Sequence, residues 1–317
     1  MKRFLARCAW LGCVFGVSYA NAEDATSLEQ FTPAAPGDWS FGVESAEAEA
    51  GSLAAQLIID YAHNPLVLRV RGERVGSVIS DQLLVHAGFG YTLAQRLVLH
   101  LGAPIVVHQG GEDPVDDVSG VTIASPEGAE LGEVFLGARV SLLSPESTAN
   151  IALAARVFFP SGPADSYVSD ESVRARFSAI AGGSVDRLSW AVQPGISVRP
   201  TRTLPATDVP ATGTALTFGA AADYFVDRRR TVAIGAELLA HNVLVDGAEL
   251  FSDLGAEILA QAHFRPGRGD FVAALGVGPG LTTTPGVPEL RVLASVSYAP
   301  GTGHEPAVDQ GFEGGLP

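Results

Sequence analysis

The sequence predicts an all-β protein, a transmembrane antiparallel up-and-down β-barrel of twelve strands. Three observations carry this expectation. Apolar and polar residues alternate with a period of two in segment after segment, from the fifties to Tyr298. The composition is 47% hydrophobic and 17% charged, yet no run beyond the N-terminus approaches the roughly 18 apolar residues of a spanning helix. Finally, short and long connections alternate between the segments, as the turns and loops of an outer-membrane barrel do.

The N-terminus reads as a signal peptide over residues 1–22. Lys2, Arg3 and Arg7 form a basic region, "CAWLGCVFGVSYA" an apolar one, and Ala20-Asn21-Ala22 a small-residue cleavage site. Both cysteines, Cys8 and Cys13, fall inside it, so the mature chain is expected to hold no disulfide and no Cys metal site. Loss of those three cations takes the formal charge from −15 to −18. So acidic a chain makes a poor nucleic-acid partner.

Residues 23–50 read as a periplasmic N-terminal segment, 51–300 as the barrel and 301–317 as a flexible C-terminal tail without periodicity. Within the barrel the alternation places strands at Leu53–Tyr61, Asp81–Tyr91, Arg96–His108, Glu133–Leu143, Asn150–Phe159 and Val173–Ser184. The second half continues with Leu188–Arg199, Thr214–Val226, Thr231–His241, Ser252–Phe264, Phe271–Leu281 and Glu289–Tyr298. Many are close to the roughly 9–11 residues that a tilted strand needs to cross a bilayer. Thr92–Gln95, Ser144–Ala149, Val185–Arg187, Asp227–Arg230 and Arg265–Asp270 are the short turns. Ala62–Ser80, Gln109–Gly132, Pro160–Ser172, Pro200–Gly213, Asn242–Phe251 and Thr282–Pro288 are the long loops. No amphipathic helical segment is available to cover a sheet face, so the cover is lipid or a second sheet. The polar faces are heavy in Gly, Ala and Ser with isolated charges, which suits a crowded lumen better than a solvated surface.

The stretches "FTPAAPGDWSFGVESAEAEAGSLAAQLIIDYAHNPLVL" (Phe31–Leu68) and "LVLHLGAPIVVHQ" (Leu97–Gln109) resemble the N-terminal barrel of outer-membrane OmpA-family proteins of the myxobacterial kind. A more distant likeness is to barrels associated with phenol-degradation pathways. The resemblance spans about Phe31 to Tyr298 and brings no catalytic motif. In that family a peptidoglycan-binding domain commonly follows the barrel; with the sequence ending at Pro317, peptidoglycan tethering is not among the expectations.

Inward-facing charges are the candidate functional residues. Alternation assigns Arg139, Arg156, Arg174, Arg176 and Arg199 to strands four to seven, and Asp223, Glu237, Asp253 and Glu257 to strands eight to ten. In a closed barrel these arcs face one another, either as a pore constriction with a transverse field or as ion pairs that plug a narrow lumen. Glu112, Asp113, Asp116 and Asp117 form an acidic loop without EF-hand spacing, and His86, His100 and His263 stand on separate strands as packing or polar lining. No nucleophile elbow, phosphate loop or HExxH motif is present, so no enzyme, cofactor or metal is expected. The expected function is a channel or small-solute transporter in the outer membrane, with lipid and small solutes as partners. The other reading is a structural barrel with a plugged lumen.

Overall fold

The computed structural model describes residues 27–28, 31–47, 53–70, 73–93, 96–115, 122–143, 149–163, 167–170, 172–203, 210–244, 253–266 and 270–300. The signal-peptide and tail assignments therefore lie outside the described residues, as do Asp116 and Asp117.

Twelve antiparallel strands form the barrel. They are β1 (Leu53–Val70), β2 (Glu73–Leu93), β3 (Leu97–Gly110), β4 (Val134–Ser141), β5 (Ala149–Phe159), β6 (Arg174–Val185), β7 (Leu188–Val198), β8 (Ala215–Phe225), β9 (Val232–Val243), β10 (Leu254–Phe264), β11 (Phe271–Pro279) and β12 (Leu290–Tyr298). Each pairs with its sequence neighbours, and β1 pairs with β12 from Ala55↔Tyr298 to His63↔Leu290, which closes the sheet. Closure satisfies every edge, the condition for strands to exist in hydrocarbon.

The register follows the alternation. In β1, Ala54, Ile58, Asp60 and Ala62 are buried, while Leu57 and Ile59 are exposed. The outward set continues around the ring with Leu101, Leu136, Leu153, Phe177, Phe218, Ile234, Ile258, Leu275 and Val296, all exposed. A belt of large apolar side chains around a closed sheet is the inside-out pattern of a membrane barrel. Exposed aromatic residues mark the short-turn rim, where Tyr91, Tyr224, Phe264, Phe271 and Tyr298 stand at strand ends, with the Phe271 and Tyr298 rings 5.1 Å apart. Such girdles sit at the polar boundary of the bilayer.

One connection departs from the sequence reading. Ala62–Ser80, expected as a long loop, instead prolongs β1 and β2 to 18 and 21 residues as a hairpin beyond the other strands. The pairing passes through irregularities between His63 and Leu66 and again near Leu68. These shift the side-chain period and break the alternation from which a strand is read.

At the other rim, the turn between β8 and β9 is fixed by Asp227. One carboxylate oxygen accepts the Thr231 and Val232 N–H groups at 2.8 and 3.0 Å, and the other accepts the Thr231 hydroxyl. These donors, the hydroxyl foremost, hold the carboxyl down at about 2. Because the folded value lies below the ordinary one, the contribution is fully present above the ordinary carboxylate range and is lost as pH falls toward 2. Slowed amide exchange at Thr231 and Val232 is accordingly expected to persist through pH 4 and fade below it. In Asp227→Asn that acid-dependent step is expected to disappear; an identical pH profile in the variant would contradict the role assigned to the carboxylate.

Candidate functional site

The lumen is filled by the chain's own N-terminal segment. Residues 27–28 and 31–47, which the sequence reading placed in the periplasm, lie inside the barrel. Ser27, Phe31, Ala34, Ala35, Phe41, Val43, Glu44 and Ala46 are all buried. Two contacts fold the segment back on itself: Ala34 N–H donates to the Phe41 carbonyl at 2.7 Å, and Asp38 N–H to the Ala35 carbonyl at 3.0 Å. Gly37, with φ of 99°, sits in the turn between them, a conformation that favours glycine. The segment lacks the period of a strand or helix, so its burial leaves no pattern in the sequence.

Its upstream end is anchored at the long-loop rim. Ser27 N–H donates to Asp170 at 2.7 Å, the Ser27 carbonyl accepts both terminal nitrogens of Arg199 at 3.1 Å, and Leu28 N–H meets the Tyr167 carbonyl. Midway, Phe31 and Phe41 pack with Ile58, Leu259, Ala274 and Leu293 in one apolar cluster. Gly276 makes room for this, since a Cβ there would stand 2.8 Å from the Phe41 ring.

Polar contacts bind the rest. Glu44 accepts Nε and Nη2 of Arg156 at 3.1 and 2.6 Å, and Nη1 of Arg139 at 3.2 Å. Asp38 accepts both terminal nitrogens of Arg139 at 2.5 and 3.1 Å. Glu237 acts in the opposite sense. Its carboxylate accepts three successive backbone N–H groups of the segment, from Phe41, Gly42 and Val43, at 3.1, 2.8 and 2.5 Å. Consecutive N–H groups make a concavity suited to an anion, here supplied by the wall.

The arginine and carboxylate arcs read from the sequence do not pair directly across the lumen. Arg139 and Arg156 reach the segment, as above. Arg174 pairs with Glu133 at 2.5 Å, and Arg199 with Asp170 at 3.3 Å. Glu257 accepts Arg291, which also reaches Asp60 at 2.6 Å. Asp223 accepts the Gln261 amide at 2.9 Å and lies 3.7 Å from His263. Asp253 stands one residue before β10, half-buried at the long-loop end. Arg176 faces inward between Arg156 and the cavity described below, with no ion pair among the described residues. The arcs fail to meet because the segment occupies the space between them and brings carboxylates of its own.

Asp60 and Arg291 were missed, although alternation within their strands puts both on the buried face. Asp38 and Glu44 carry no such signal. Among the described residues no group of His, Asp and Glu is arranged to hold a metal ion, and the acidic Glu112 and Asp113 instead accept backbone N–H groups of Ser77 and Ser125.

No family profile and no curated protein matches the chain in sequence. Solved structures do match in shape. The COG4313 outer-membrane channel from Pseudomonas putida F1 superimposes with a TM-score of 0.62 at 12% identity, over 80% of this chain and 98% of that one. The fold is that of an outer-membrane β-barrel. The NanC porin is also similar, with a TM-score of 0.49 at 6% identity over 78% of this chain and 98% of that one.

Proposed function

We propose that the protein is an outer-membrane channel for small solutes, held closed in this conformation by the segment of residues 31–47, and that passage requires this segment to shift. The observation that carries the reading is how the segment is held. A filling meant only to close the barrel for good needs no charge, since apolar packing of the same volume is often as stable as a buried ion pair or more so. Here the apolar cluster around Phe41 is joined by guanidinium–carboxylate and carboxylate–amide contacts at Arg139, Arg156 and Glu237. The polar contacts are ones that water can replace as the segment shifts. The wall behind them is itself polar, with Gln56, His86, His241 and Gln261 buried alongside the charges. In this reading the signal peptide over 1–22 delivers the chain to the outer membrane, and the likeness of Phe31–Leu68 and Leu97–Gln109 to OmpA-family proteins is a kinship of the lumen segment and the barrel.

A cysteine pair tests the proposal. Ala46 of the segment shares one buried cluster with Ala152 of β5, and the sequence has no cysteine other than Cys8 and Cys13. The refolded Ala46→Cys, Ala152→Cys barrel is expected to stay closed in planar bilayers when oxidised and to show conductance steps after reduction. Equal conductance in both redox states would remove the segment from the gate. Silence in both states and in the unmodified protein, under any applied voltage, would leave the structural barrel as the reading.

A further inference from the structure

The geometry points to a binding site for a small monocarboxylate in the lumen, with the guanidinium of Arg176 as its anchor. Of the inward arginines in β4 to β6, Arg139, Arg156 and Arg174 each have a carboxylate partner. Arg176 has no ion pair, and its Nε is buried without a hydrogen-bond partner among the described residues. It also stands directly opposite Arg156 in the β5–β6 register, where like charges repel. Glu44 neutralises Arg156 and Arg139. Among the described residues no carboxylate pairs with Arg176, whose guanidinium lies 5.9 Å from the Phe158 ring, and a partly buried charge so placed calls for a mobile counter-ion.

The space for one adjoins it. A cavity of about 60 Å³ is lined by Arg176 together with Ser178, Gln193, Thr217, His241 and Glu257. Gly195 lies between two of these residues. It pairs with Ser178 on one side and Thr217 on the other, and a Cβ at Gly195 would stand 2.8 and 2.7 Å from their hydroxyl oxygens. Both hydroxyls therefore converge on the gap left by the missing side chain. Gln193 spends its carbonyl oxygen on the Glu44 N–H at 2.8 Å, which turns the question of an anion to its amide donors. Glu257, the acidic group in the lining, is held by Arg291 at 2.9 Å and so does not neutralise Arg176.

The donor set selects the ligand. A guanidinium presents two parallel N–H groups matched to the two oxygens of a carboxylate, and hydroxyl donors suit the remaining lone pairs. The cavity has room for several waters and so for an ion of about the size of acetate. Binding of this kind does not depend on the barrel conducting, so it stands or falls separately from the channel reading.

Isothermal titration of the full-length barrel in detergent micelles, with sodium acetate added against a sodium gluconate background, tests the site. Saturable binding is expected, with Arg176→Gln weakening it by about tenfold or more, as loss of a charge-assisted hydrogen bond does. Arg176→Lys, which keeps the charge and loses the fork, is expected to fall between, and Thr217→Val to weaken binding several-fold. Arg187→Gln, at the β6–β7 turn, is expected to match the parent. Heat-modifiable gel mobility establishes that each variant is folded. Absence of saturable binding to the parent, or affinity in folded Arg176→Gln equal to the parent, would overturn the proposal. Chloride binding as tightly as acetate would overturn the choice of a carboxylate.

Discussion

Glu44→Ala is expected to open the lumen and to leave a pore that prefers anions. In the closed barrel the Glu44 carboxylate takes two bonds from Arg156 and one from Arg139. Arg139 keeps Asp38 after the substitution, whereas among the described residues Arg156 keeps the Pro33 carbonyl at 2.7 Å and the Phe135 ring but no carboxylate. A buried charge stripped of its partner costs about 3–5 kcal/mol. The wall cannot relieve this, because β4 and β5 are locked into ladders on both sides. The segment can, by withdrawing and admitting water. Arg139, Arg156 and Arg176 would then dominate the field of the open lumen. Single-channel recordings are expected to show frequent conducting events where the parent is closed, with a reversal potential displaced toward the anion under a salt gradient. Glu44→Gln, which retains a hydrogen-bond acceptor, is expected to open less often. A closed Glu44→Ala barrel would mean that the ion pairs do not hold the segment in place.

On the outer face the largest effect is expected at Ile258. It lies in the middle of β10, exposed, and opposite Leu238 of β9. An arginine there would face hydrocarbon, at about 2–4 kcal/mol for a site near the midplane of the bilayer. Neighbouring Leu259 is fully buried in the apolar cluster around Phe41, so the same replacement one residue on would strike the segment rather than the lipid. Ile258→Arg is expected to lower the denaturant midpoint of the folded barrel in lipid vesicles, with closure of the lumen unchanged. Tolerance equal to that of an arginine placed at exposed Leu188, by the short-turn rim, would contradict the membrane depth assigned to β10.

Most of the wall was legible because a strand has the simplest of periods. Val134 to Ser141 and Val232 to Val243 could be placed to within a residue or two, since outward Leu, Ile and Val recur at every second position with mostly small or polar residues between them. The same rule sorted Arg139, Arg156, Glu237 and Glu257 to the inner face, where all four are buried. Their partners were another matter. A period states which side a residue faces and is silent about what fills the space it faces. Glu44 and Asp38 sit in a turn-rich stretch with no repeat, and the contacts they make span about a hundred residues of sequence. The hairpin extension of β1 and β2 was hidden for a different reason, the irregular pairing along it, where Gly76 to Ile79 are buried in succession instead of alternately.

The segment enters the barrel beside Asp170 and Arg199 at one rim, and the chain rejoins the wall as β1 at the other. It is therefore threaded through the ring, as a string through a bead. Chain drawn through a finished bead would have to pass Arg199, Glu44 and Glu237 along its whole length. The simpler order of assembly has the thread laid down first and the bead closed around it, with the seam between β1 and β12 sewn last. On that order the buried carboxylates of the segment serve as a scaffold on which Arg139 and Arg156 are gathered while the sheet is still open.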